Sequence, residues 1–222
     1  MSGNRTWTDS TAFARVTGAV YRHVVVEVAF VLAALPGVAG IVLLVPAPAN
    51  VPLYMLCLIP VLPAFSAAVA ALRGHEGEAT PWRRYWHCWR ANVRDVLLVC
   101  VPAVIALAVL GFNIAFAGTV GTFFTIAALV LAVAVSLWCV NALVIASLFA
   151  FRTRDIARLA AFYLIARPLA TLGTICLLVI GAAVVMSMSA WVLLVAASLL
   201  AALVGSGARP VITDIEARFV AS

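Results

Sequence analysis

Six apolar runs divide this 222-residue chain, at residues 24–45, 51–72, 96–117, 122–151, 169–185 and 190–208. Five of them are close to the ~20 residues that a helix needs to cross ~30 Å of hydrocarbon, and the fourth is longer. The last two form one stretch, Leu169 to Ala208, broken by Met186-Ser187-Met188-Ser189. As a single helix that stretch would measure about 60 Å at ~1.5 Å per residue. This is twice the membrane, so it must fold back as a hairpin. Only 10% of the residues are charged and 66% are hydrophobic, whereas a soluble domain carries about 25% charge. A soluble enzyme, a disordered tail and a fibrous repeat are therefore excluded. The fold class that remains is all-α: a polytopic bundle of six transmembrane helices, one domain over residues 1–222.

The basic residues fix the orientation. All fourteen are arginines. Arg5, Arg15 and Arg22 precede the first run, and Arg73, Arg83, Arg84, Arg90 and Arg94 lie between the second and third. Arg152, Arg154, Arg158 and Arg167 separate the fourth from the fifth, and Arg209 and Arg218 follow the sixth. The alternate connections, 46–50, 118–121 and 187–189, carry no charge. By the positive-inside rule every arginine-bearing segment is cytoplasmic, so both termini are inside, and no outer connection is long enough to form a domain. The pattern predicts a multi-pass membrane protein, with the lipid bilayer as the first partner. It also accounts for the net charge of +6 without nucleic acid, because the cations are too scattered to track a phosphate backbone.

Cys57, Cys88, Cys100, Cys139 and Cys176 form no C-x-x-C pair, and four sit in apolar runs. They read as buried free thiols packing as small hydrophobes. Ala47-Pro48-Ala49 imitates a signal cleavage site. The apolar run before it is longer than the usual 7–15 residues, and the first run is expected to be retained.

Two polar segments on the arginine side are read as amphipathic elbow helices, residues 81–94 and 154–166. Thr80-Pro81 is a helix start. From there Trp82, Tyr85, Trp86 and Trp89 recur at helical spacing beside Arg83, Arg84, His87, Arg90 and Arg94, the pattern of a helix lying in the headgroup layer. Trp82, Arg83, Arg84, Trp86, Trp89 and Arg90 are thus candidate contacts with the membrane surface or with a cytoplasmic partner. The second elbow repeats the pattern with Ile156, Leu159, Ala160 and Tyr163, and Pro168 opens the helix that follows. The two elbows are read as obeying the same physics rather than as an internal repeat.

Within the spans the sequence offers little chemistry. An ionised group at mid-bilayer costs at least ~2.5 kcal/mol, and only Glu27 approaches a span. His23, four residues earlier, is placed to meet it on one helix face. With no deep carboxylate, histidine or lysine, ion-coupled transport is disfavoured. Asn113 and Asn141 are expected to hydrogen-bond between helices. They are also candidate contacts for a polyol ligand. Pro60 and Pro63 should kink or unwind span two over residues 59–63, and a broken helix at mid-depth can build a site. Ala64, Ala67, Ala68 and Ala71 suit close helix packing. Nucleotide, zincin, hydrolase and dinucleotide motifs are missing from the sequence, and His75-Glu76-Gly77-Glu78 reads as a solvated loop. No catalytic residue, cofactor or metal is assigned.

Pro63-Ala64, Arg73-Gly74-His75-Glu76-Gly77, the run from Trp86 to Trp89-Arg90-Ala91-Asn92, and Arg167-Pro168-Leu169 together resemble the YesL-like family of bacterial membrane proteins. Ile215–Phe219 fits as well, and the resemblance extends over most of the chain from about residue 20. Tryptophan stands where the family has phenylalanine, and His75 is displaced relative to the Gly-Glu turn. Members are commonly encoded beside carbohydrate-uptake and carbohydrate-degradation genes. The resemblance implies an accessory of carbohydrate uptake, with an ABC-type sugar permease as partner. A scaffold or assembly protein whose spans only pack is the alternative, followed by an autonomous transporter and, distantly, a membrane enzyme.

Overall fold

The computed structural model describes residues 5–73, 80–187, 197–215 and 217, and everything regular among them is helical. The helices are α1 (Arg5–Leu43), α2 (Val51–Cys57), α3 (Val61–Arg73), α4 (Pro81–Ala115), α5 (Ala117–Val120) and α6 (Thr122–Leu148), then α7 (Thr153–Ala166), α8 (Pro168–Ser187), α9 (Ala197–Gly207) and α10 (Arg209–Ile215). A 3-10 turn, Pro48–Asn50, leads into α2. The loop His75–Glu78, residues 188–189 of the expected break and residues 190–196 of the last expected span lie outside the described residues, while Met186 and Ser187, expected in the break, continue α8.

Three helices are each long and apolar enough to cross a membrane: α1 from Val16, α4 and α6. Two bent pairs, α2–α3 and α7–α8, raise the number of candidate spans to five, and α9 is a shorter apolar helix. Large apolar side chains cover the outside, among them Phe123, Leu131, Val130 and Leu169. A water-soluble protein rarely shows apolar patches on this scale. The chain is a membrane protein.

The proline positions explain where helices break. In α2–α3 the chain turns by 42° over Leu58–Pro60. Pro60 sits in the turn, and Pro63 occupies the first turn of α3, where its missing N–H would be unpaired anyway. The expected kink at 59–63 is present. Between α7 and α8 the bend is 98°. Arg167, the residue before Pro168, is pushed out of the helical region to φ −127°, ψ 72°, as the proline ring demands.

The first elbow differs from expectation. Residues 81–94 and the following span are one uninterrupted helix, α4, about 52 Å long at ~1.5 Å per residue. Neither glycine nor proline occurs between Trp82 and Val101 to stop it, and the aromatic stripe has a partner inside the protein. Span four also ends earlier than residue 151: Phe149 turns extended at φ −130°, ψ 135°, and Phe149–Phe151 stack at 5.5 Å.

Two cores result. Val26, Ala29, Phe30 and Ala34 of α1 pack on the alanine face of α3, on Tyr85 and on Ala197 and Ala201 of α9. Every member of the Ala64, Ala67, Ala68, Ala71 series is buried there. The second core joins α4, α6, α7 and α10 through Val96, Cys100, Cys139, Leu143, Ile156 and Tyr163.

Candidate functional site

Among the described residues, the side-chain hydrogen bonds that join helices distant in sequence gather towards the arginine-bearing end of the bundle. Tyr85 is fully buried, and its hydroxyl donates to the Ala64 carbonyl at 3.1 Å. Trp86 stacks edge-on against Trp82, Tyr85 and Trp89. Trp86, Cys88 and Trp89 lean on the α1–α3 core, while Trp82 stays 41% exposed and Arg83, His87 and Arg90 face outward. Arg84 is half-buried. Of the six expected surface contacts, the structure therefore keeps Trp82, Arg83 and Arg90 on the outside and draws Trp86 and Trp89 inward. The stripe is mainly a packing face, because α4 runs straight alongside α1 and α3.

A second cluster joins α3, α4 and α6. The Asn92 side-chain amide donates to the Ser147 carbonyl at 3.0 Å. The Ser147 hydroxyl lies 2.8 Å from that of Ser66 and 2.6 Å from the Leu143 carbonyl. With one proton each, both contacts are met when Ser147 donates to the carbonyl and Ser66 donates to Ser147. Burial makes such satisfaction necessary, since an unpaired hydroxyl would cost ~1–3 kcal/mol.

A third cluster closes α7 onto the C-terminal helix. The Asp214 carboxylate accepts from the Tyr163 hydroxyl at 2.8 Å and from the Arg167 guanidinium at 3.1 Å. Beside it, the Trp138 indole N–H donates to the Ala157 carbonyl at 3.0 Å. Glu27 lies in the other core. Its carboxylate accepts the backbone N–H groups of Ala197 at 3.3 Å and Ser198 at 2.7 Å, the first residues of α9. A carboxylate there also complements the helix dipole. The expected His23–Glu27 contact is replaced: the His23 Nδ1–H donates to the Ala19 carbonyl at 2.9 Å.

A cleft of about 690 Å³ opens between α4 and the start of α7, lined chiefly by Asp95, Phe151, Arg152, Arg154, Asp155 and Arg158. It is the candidate ligand-accessible site at this end.

The ligand positions suggested by the sequence do not converge. Asn92–Ser147 and the Cys100–Cys139 thiol pair set an antiparallel register between α4 and α6. In it, Asn141 is level with Leu98, about 22 Å along the axis from Asn113 at ~1.5 Å per residue. Among the described residues neither asparagine side chain has a hydrogen-bond partner, so the interhelical asparagine is Asn92 instead. The break at Pro60 is filled by α1: a side chain on Gly37 would collide with the Cys57 carbonyl and meet Pro60 and Val61 at 3.0 Å. The five cysteines are free, with Cys100 and Cys139 buried and Cys176 exposed rather than buried. The described residues hold no group of three or more potential metal ligands.

Neither Ser66 nor the cleft is signalled by the sequence, and Ser147 and Asp214 read there only as a polar residue in a span and a cytoplasmic carboxylate. A serine in an apolar run carries no periodic signal, and the signal for Asp214 was only its place four residues after Pro210, on the arginine side. No family model, curated protein or solved structure matches the chain.

Proposed function

We propose that the protein is a six-span component of a bacterial cytoplasmic membrane, with both termini in the cytosol, that assists carbohydrate uptake by holding a permease rather than by passing a solute itself. The observation that carries this reading is the separation of Asn113, Asn141 and the Pro60–Pro63 break, with the break occupied by α1. Polar groups left accessible gather instead at the arginine-bearing end, at Arg83, Arg90 and the Asp95–Arg158 cleft. Alternate placement of all fourteen arginines supports the topology, and the YesL-like motifs support carbohydrate uptake and an ABC-type sugar permease as partner. No catalytic constellation accompanies them, so the proposal is for a protein that is not an enzyme.

The test is twofold. Gentle solubilisation of native membranes should co-purify a sugar permease with the tagged chain, and a variant carrying Arg83→Glu and Arg90→Glu should lose it. Liposomes containing this protein alone should pass no labelled sugar. Flux through such liposomes would replace the accessory reading with an autonomous transporter. The second reading, a scaffold that only packs, is favoured by the close α1–α2 contact at Gly37 and Gly40. It predicts that deletion lowers the abundance of a partner, whereas the accessory reading predicts lower uptake at unchanged abundance.

A further inference from the structure

We propose that the cleft between α4 and α7 binds the zwitterionic head of a phospholipid, a phosphate ester bearing a primary ammonium. Its walls carry three guanidinium groups, from Arg152, Arg154 and Arg158, and two carboxylates, from Asp95 and Asp155. Among the described residues these five charges form no ion pair with one another. Their donors and acceptors are therefore open to a ligand. A guanidinium presents a rigid fork of N–H donors that matches phosphate oxygens, and the uncapped first turn of α7 adds amide donors and the positive end of its dipole. A carboxylate accepts only, which suits the ammonium. Asp155 also has a helix-stabilising role as the acid in the first turn of α7. Asp95, on α4, has no such explanation and is assigned to the ammonium. Against this lining a plain anion would meet two carboxylates and a plain cation three guanidiniums.

The lipid is indicated by the outer face of α7. Arg154, Arg158, Phe162 and Ile165 lie at i, i+4, i+8 and i+11 on one helix face, and all four are exposed. Ile165 reaches 86% exposure and Leu169, at the start of α8, 85%. Along that face guanidiniums stand beside bare hydrocarbon, so a lipid held by its phosphate can lay its chains against the same helix. The inference requires that this end of the bundle meet the membrane–water boundary. It does not require a permease.

Native mass spectrometry of the delipidated full-length protein, titrated in turn with phosphatidylethanolamine, phosphatidylcholine and phosphatidylglycerol, tests it. Retained phosphatidylethanolamine should exceed each of the others about fivefold, since charge-assisted bonds form at both ends of its head. The variant Arg154→Ala with Arg158→Ala should abolish that excess, and Arg209→Ala, at an exposed residue outside the cleft lining, should leave it intact. Asp95→Asn, an isosteric change, should retain binding but equalise phosphatidylethanolamine and phosphatidylcholine. Free phosphoethanolamine provides the final arm: if it raises the melting temperature as much as the lipid does, the zwitterion site stands and its lipid source is overturned. Retention of phosphatidylglycerol equal to phosphatidylethanolamine, or an excess that survives the double arginine variant, overturns the proposal.

Discussion

At Gly37 a single hydrogen atom does what no other side chain could. The backbone of α1 approaches the α2–α3 turn so closely that a methyl group would strike the Cys57 carbonyl, and at Gly40 it would lie 2.6 Å from the Cys57 sulfur. Gly37→Ala should therefore lower stability by ~1–3 kcal/mol, the usual cost of overpacking, visible as a lower melting temperature in detergent. Gly173→Ala, where a methyl meets nothing within 4 Å, should leave it unchanged or raise it slightly. Tyr163→Phe should cost about 1 kcal/mol, a typical net hydrogen bond, because it deletes one donor to Asp214. The alanines of α3 were legible as a packing face because they repeat along one helix. The glycines of α1 that admit Cys57 were not, since a contact between helices leaves no period in either sequence. The same limit hid Ser66 and Ser147, which lie 81 residues apart.

The two elbows show how far an element can be read from its own residues. Both have an apolar stripe at helical spacing, and both stripes exist. Their directions differ for a local reason. Pro168 forces Arg167 out of the helix and turns the chain sharply, while Ala91-Asn92-Val93-Arg94-Asp95 contains nothing to interrupt α4. A stripe of tryptophans beside arginines reads equally well as lipid-facing or as protein-facing until its neighbour is known. Here the neighbour is the α1–α3 pair. Trp89→Ala should consequently reduce stability by about 2–4 kcal/mol, as loss of a packed aromatic does. Trp82→Ala, at an exposed position, should cost under about 1 kcal/mol. Thermal melts of the two variants in the same detergent would check the contrast, and equal losses would mean that Trp82 too is covered by protein.

For the whole molecule, helix content and the long apolar crossings followed from run length alone, since hydrocarbon thickness sets a length that the sequence either has or lacks. Sidedness depends on charge, and it can be measured. In a cysteine-free background, Ala49→Cys should react with a membrane-impermeant maleimide in intact cells. Arg83→Cys should react only after the membrane is opened, and labelling of Arg83→Cys without permeabilisation would reverse the assigned orientation. Ligand chemistry was the least legible property. The cleft is assembled from α4 and from the junction of α6 with α7, and the charges that line it were visible only as contributors to topology.

Glu27 ties α1 to α9: its carboxylate is satisfied by amides 170 and 171 positions further on. During synthesis that carboxylate enters the bilayer long before its partners are made. Until α9 is made, Glu27 of α1 must wait uncompensated. A nascent product stopped at Ser187 should thus be recognised as unfinished and degraded, giving membrane quality control a signal that disappears only once α9 has been synthesised.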